Sequence, residues 1–219
     1  MSTSGVTSEH KRSTNPRGRP AAAGAADIRA AILDAAEVLF AHKGYAAVSV
    51  REIAEAVEVT PAMVHYYFGS KLALLRQVLE RTLEPLAAAI ARMRAADQAP
   101  ATEIARLLLS TFSEHPSLPV LVAREVILPG GVMQQHFLEY LAPRLGGSLP
   151  AMLEKEQAAG RVHADLDPQL TALLLLSLCA FPFVARDLAG PALGIDYDDA
   201  GLRRLEQHVE RILLEGFTP

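Results

Sequence analysis

The chain has 219 residues, half of them hydrophobic, which excludes a disordered chain and permits a sizeable core. Cys179 is its one cysteine, so an intrachain disulfide is excluded. The net charge of −4 is uneven, with +3 on residues 1–26, −1 on 27–76 and −6 on 77–219; a basic arm on an acidic body fits a protein that touches nucleic acid with one end only.

Residues 1–26 mix Ser, Thr, Gly, Pro, Asn and Ala without period, and read as a flexible basic arm. They lack the apolar core of a secretory signal. In Pro16-Arg17-Gly18-Arg19-Pro20 the prolines favour extended chain, and Arg17 and Arg19 stand two apart, able to straddle a minor groove. A solvated basic tail is the plainer alternative.

A first helix is predicted over 27–43, with Ile28, Ile32, Ala35, Leu39 and Phe40 as its apolar stripe and Gly44 as its stop. Ser49 and Glu52 then form a capping-box pattern before Ile53, Ala54 and Val57. After Glu58-Val59, Thr60 suits an N-cap and Pro61 the first helical position. The second short helix should run to Phe68, with Val64 and Phe68 inward and Gly69 ending it. Two short capped helices joined by a tight turn make a helix-turn-helix, whose second helix can enter a DNA major groove. His65, Tyr66 and Tyr67 cannot all be buried and are natural phosphate donors, with Lys71 nearby. Ala62 and Met63 are placed for base edges, with Thr60 near the groove entry; Ser49 and Pro61 are further candidate DNA contacts.

These residues resemble the TetR (tetracycline-repressor-like) family of transcriptional regulators. The resemblance rests on Ala31 to Ala36, Leu39-Phe40, Gly44-Tyr45, the motif above, Lys71 and Leu74-Leu75. Glu58 departs from the family's usual Gly, which puts a non-Gly residue at positive φ, and His65 from its usual Tyr. The resemblance implies an all-α protein. A three-helix helix-turn-helix DNA-binding domain (27–76) would join a larger helical effector-binding and dimerisation domain (77–219).

Beyond residue 71 one long helix is expected to about 96, bent at Pro85. A loop at 98–102 precedes a broadly apolar helix with Leu107, Leu108, Leu109 and Phe112, broken at His115-Pro116. A short helix over 117–128 carries Arg124 and Glu125; either one faces a cavity or both are surface charge. Residues 132–159 read as one kinked helix or two, interrupted at Pro143, Gly146-Gly147 and Pro150. His136, Phe137 and Tyr140 suit a pocket wall or ordinary core. The run 170–184 is almost wholly apolar, yet shorter than the roughly 20 residues of a membrane span. Core explains one of its faces and a partner subunit the other. Cys179 within it is a small core residue or a redox thiol. A last helix over about 199–216 puts Leu202, Leu205, Val209, Ile212 and Leu213 on one stripe. The resemblance implies dimerisation through the last two long helices, here by Leu174, Leu178, Leu202, Leu205, Val209 and Ile212.

The expected function is a cytoplasmic DNA-binding regulator: a homodimeric repressor released from double-stranded, palindromic operator DNA by a small hydrophobic or amphipathic effector. Phe112, Arg124, His136, Phe137, Tyr140 and Phe183 are its candidate ligand contacts. A ligand-independent DNA-binding protein with a structural C-terminal domain is the alternative, favoured if that domain holds no cavity. An enzyme is not expected. There is no P-loop, dinucleotide turn or HExxH, and the seven histidines (10, 42, 65, 115, 136, 163 and 208) have no ligand-like spacing. No catalytic residue, cofactor, metal or membrane contact is predicted.

Overall fold

The computed structural model describes residues 24–96 and 101–217; Arg17, Arg19 and most of the loop at 98–102 lie outside them. The described residues form helices and turns, with no strand.

Helix α1 (Ala25–Lys43) begins where Asp27 Oδ2 accepts from the Gly24 N–H at 3.0 Å and stops at Gly44, φ +82°. Three helices with side-chain N-caps follow: α2 (Val50–Ala56), α3 (Pro61–Phe68) and α4 (Lys71–Ala95). Ser49 Oγ accepts from Glu52 N at 3.1 Å, Thr60 Oγ1 from Met63 N at 3.3 Å and Ser70 Oγ from Ala73 N at 3.1 Å. The Ser49–Glu52 box closes mainly on one side. The Glu52 carboxylate reaches Lys43 instead, and that hydrogen bond holds its pKa below the ordinary value, the Ser49 N–H contributing least. Glu58 has φ +55°, the one non-glycine at positive φ among the described residues, a conformation that costs roughly 1–2 kcal/mol outside glycine. Ile32, Leu33, Phe40, Ile53, Val64, Phe68, Leu74 and Leu75 are buried in a continuous core.

α4 continues through Pro85 into the rest of the chain. Arg81 on it bonds Asp34 at 2.6 Å and Glu37 at 2.9 Å, both on α1. The body holds α5 (Ala101–Glu114), α6 (Ser117–Val122), α7 (Gln134–His136), α8 (Leu149–Ala158), α9 (Pro168–Val184), α10 (Arg186–Leu193) and α11 (Asp199–Phe217). Helices α6 and α7 each run into a wide π-type turn, at Ala123–Ile127 and Phe137–Leu141. Pro150, expected as an interruption, opens α8 instead, where a missing N–H is tolerated. α10 has no counterpart in the sequence reading; Gly190 and Pro191 hide it.

α9 is the centre of the body, packed on α5, α6 and α8 and capped by Asp167, whose carboxylate accepts from Leu170 N at 2.9 Å. It buries Thr171, Ala172, Leu175, Cys179 and Phe183 and leaves Leu170, Leu173, Leu174 and Phe181 exposed. Burial pushes the Cys179 thiol up to about 12, so it stays neutral and unreactive. α10 leaves α9 at 77°, and among the described residues no single helix is long and apolar enough to cross a membrane. On α11 one expectation is corrected. Val209 is only 2% exposed, in the subunit's own core, because this stripe packs on α5. Leu202 and Leu205 also pack against that core, as does Leu178 of α9, whereas Ile212 and Leu214 are exposed.

Candidate nucleic-acid interface and effector cavity

The turn between α2 and α3 is closed by the backbone alone: Val59 N donates to Ala54 O at 3.0 Å and Glu58 N to Glu55 O at 3.3 Å. That closure, with Val64 and Phe68 turned inward, leaves the other side of α3 facing out. Pro61, Ala62, His65 and Tyr66 are exposed there, Tyr66 by 83%, and Met63 is half-buried. Tyr67 is partly withdrawn against the core, its ring edge-on to Tyr66 at 5.3 Å. His65 Nδ1 lies 3.0 Å from the Gly69 carbonyl, so it carries the donated proton and Nε2 is left free. The hydroxyls of Ser49 and Thr60 accept their cap bonds and retain a proton each to donate outward.

Lys71 sits differently from the sequence expectation of a phosphate contact. Its Nζ donates to Tyr45 O at 2.7 Å and Val48 O at 2.8 Å, and stands 4.2 Å from the Tyr45 ring centroid. It staples the loop between α1 and α2. Lys43 pairs with Glu52, and Arg51 with Glu55 at 2.8 Å. Lys43 and Arg51 are thus paired within the protein, and Lys71 is held by carbonyls that leave its charge in place.

The body holds a cavity of about 410 Å³, partly open to solvent beside exposed Ile127 and Leu173 and within the usual range for small-molecule sites. Leu83, Leu86 and Ile90 of α4 line it, with Leu108 and Phe112 of α5, Val122 of α6, Val126, Phe137, and Leu176 and Ala180 of α9. Ser177 is its one polar side chain, and that hydroxyl already donates to Leu173 O at 2.8 Å. Of the six ligand contacts expected from sequence, Phe112 and Phe137 line the cavity. Phe183 is buried beside Phe112, ring centroids 5.9 Å apart, but is not in the lining.

The three polar candidates lie elsewhere. Arg124 reaches α1, its Nη1 donating to Ala41 O at 2.9 Å and His42 O at 2.8 Å. His136 Nε2 meets Glu80 at 3.0 Å, and the Tyr140 hydroxyl donates to Glu84 at 3.0 Å. His136 and Tyr140 thus grip the outer side of α4, while Phe137 between them reaches the cavity. The sequence reading missed Glu80 and Glu84, and named Glu125 without its partner Tyr45. Their partners are 56 to 80 residues away, and nothing in local spacing announces such a pair.

An exposed helix on a capped turn, carried by one long helix into an all-helical body with a cavity, defines a helix-turn-helix transcriptional regulator. Residues 32–78 match the family described as bacterial regulatory proteins, tetR family, and residues 100–212 match the tetracyclin repressor-like C-terminal domain. The chain belongs to the TetR family of transcriptional regulators. It is 32% identical over 193 residues to the transcriptional repressor Rv3405c of Mycobacterium tuberculosis, covering 84% of this chain and 93% of that protein. It is 27% identical over 172 residues to the transcriptional repressor NicS of Pseudomonas putida, covering 77% and 81%. The ketosteroid transcriptional regulator KstR2 of Mycobacterium tuberculosis shares the fold, with a TM-score of 0.69 at 20% identity over 87% of this chain and 95% of that one.

Proposed function

We propose that the chain is a cytoplasmic repressor that binds a palindromic operator as a homodimer and is released by a neutral lipophilic molecule. The observation that carries the ligand class is the cavity wall. It has no charged side chain, and its single hydroxyl has already given its proton to Leu173 O. A carboxylate or ammonium placed there would lose its hydration without a partner, so a neutral, mostly hydrocarbon molecule fits better than a charged amphiphile.

The boundary between DNA-binding and effector parts falls within α4, near residue 77. Ala62 and Met63 read base edges from α3, while Tyr66 and the hydroxyls of Ser49 and Thr60 hold phosphate. Since Lys43 and Arg51 are paired with carboxylates and Lys71 is held by carbonyls, Arg17 and Arg19 of the arm supply much of the attraction for phosphate. The dimer forms through the apolar side of α9 that the subunit leaves bare, around Leu170, Leu174 and Phe181; Leu188 of α10 and Ile212 of α11 are bare as well. Large apolar side chains exposed on one helix in this number are rarely left in water.

The test is titration with N-phenyl-1-naphthylamine, a neutral lipophile that fluoresces in apolar surroundings. It should bind the wild-type protein at one site per subunit. Ala180→Trp, which fills the cavity, should abolish that binding while leaving the circular dichroism spectrum intact. Equal binding by a folded Ala180→Trp variant would show that the cavity is not the site.

A further inference from the structure

We infer that Arg124 and Glu125 are positioning residues for DNA recognition. They set the DNA-binding helices directly through the end of α1 and carry the state of the cavity there by a route separate from α4. The inference rests on the cavity reading above.

The segment 122–127 has two faces. Val122, Val126 and Ile127 form part of the cavity wall. Arg124 and Glu125, between them in sequence, reach across to the DNA-binding helices. Ala41 and His42, whose carbonyls Arg124 binds, lie in the last turn of α1, which leaves such groups without an intrahelical partner. A guanidinium there also suits the negative end of the helix dipole. Glu125, only 5% exposed, accepts through Oε1 from the Tyr45 N–H at 2.8 Å. Two neighbouring side chains thus hold both the end of α1 and the start of the loop to α2.

The backbone under them is tightly fixed. Leu128 N donates to Ala123 O at 2.9 Å, closing the wide turn, and Met133 N donates to Glu125 O at 2.9 Å. A Cβ on Gly131 would stand 2.4 Å from that same Glu125 oxygen, so only glycine lets the chain fold back there. On the other side, a Cβ on Gly44 would meet Arg124 Cδ at 3.3 Å, so the end of α1 and the arginine stem are already in contact. Wide turns of this kind are rare and occur often at functional sites.

Tyr45 is where the two routes meet. Its N–H is held from the cavity segment by Glu125, and its carbonyl from α4 by Lys71. A molecule that displaces Val122 and Val126 moves Arg124 and Glu125 with them, and so turns α1 and the loop against the hold of Lys71. α3, packed on α2 and α4, follows.

The experiment uses the full chain and operators selected by the wild-type protein. Fluorescence anisotropy measures affinity for the selected site and for versions with one or two base pairs added between half-sites. Wild type should lose about tenfold or more with altered spacing, because its recognition helices are held at one separation. Arg124→Ala should bind all spacings within about threefold of one another, and Arg124→Lys should restore part of the discrimination. Glu125→Ala should behave like Arg124→Ala, while Glu125→Gln, which keeps an acceptor for Tyr45 N–H, should resemble wild type. A purely stabilising role would shift melting temperature without relaxing spacing, and unchanged discrimination in a folded Arg124→Ala variant overturns the inference.

N-phenyl-1-naphthylamine supplies the second arm. In wild type it should weaken operator binding at least about fivefold, the lower end of ordinary coupling. In Arg124→Ala it should bind as before with most of that effect gone. Probe binding without any effect on wild-type operator affinity overturns the coupling, whereas absence of probe binding overturns the cavity reading and leaves the spacing result to decide on positioning. Amide exchange at Tyr45 in the unaltered protein checks the same link. Its protection should fall when the probe is bound, and equal protection counts against the route.

Discussion

The helix-turn-helix and the body behind it are built from the same kind of helix, yet their polar contacts obey different rules. Around α2 and α3 the defining bonds are local. Ser49, Thr60 and Ser70 each cap a backbone N–H three residues on, and the turn is closed by main chain three and five residues apart. In the body the defining bonds span the chain: Arg124 to Ala41 and His42, Glu125 to Tyr45, His136 to Glu80, Tyr140 to Glu84. A local bond specifies the shape of one element. A distant one specifies how elements sit together, which is what a regulator has to change.

That difference can be tested by substitution, beginning where the effect should be greatest. Leu175 and Leu174 are neighbours on α9, one fully buried and the other 61% exposed. Leu175→Ala should destabilise the subunit by about 2–5 kcal/mol in urea denaturation. Leu174→Glu combined with Phe181→Glu should leave a folded subunit but give a monomer by light scattering at micromolar concentration. A dimer that survived both glutamates would place the interface elsewhere.

The local bonds should cost less. Thr60→Ala removes the α3 cap and should lower stability by about 1 kcal/mol, seen as a shift of a few degrees in melting temperature. Asp167→Ala, which removes the equivalent cap on α9, should cost a similar amount. Near-equal losses would show that caps work alike in both regions and that only the distant contacts divide them. The smallest change runs in the opposite direction. Glu58→Gly should stabilise by up to about 1 kcal/mol, because φ +55° suits glycine, although glycine's greater freedom when unfolded offsets part of the gain.

The contrast also explains how much could be read from the sequence. The caps at Ser49 and Thr60 were legible, because cap residue and beneficiary lie three apart. So was the positive φ at Glu58, through the resemblance alone, because the family usually has Gly there. The bare side of α9 was legible in outline, because a helix apolar all round has to cover more than one face. The roles of Arg124, His136 and Tyr140 were not. Each looked like a polar anchor near apolar residues, but their partners on α1 and α4 appear only once the chain is folded. Val209 was placed at the seam for a related reason. A stripe on α11 shows that a face is buried, and not whether α5 or a second subunit buries it. Lys71 was read as a phosphate contact from its position after α3; its bonds to the carbonyls of Tyr45 and Val48, which take two of its three protons, were not foreseen.

The central claim is that α3 reads DNA sequence and that the two α3 helices of a dimer do so together. Selection of bound sites from random DNA, run in parallel with wild type, Met63→Ala and Ala62→Ser, tests it most directly. Wild type should enrich a palindrome whose half-sites are about 34–36 Å apart, or a near multiple. The variants should keep that spacing and change the base preferred at one symmetric pair of positions. Enrichment without two-fold symmetry, or identical base preferences from all three folded proteins, would contradict the account.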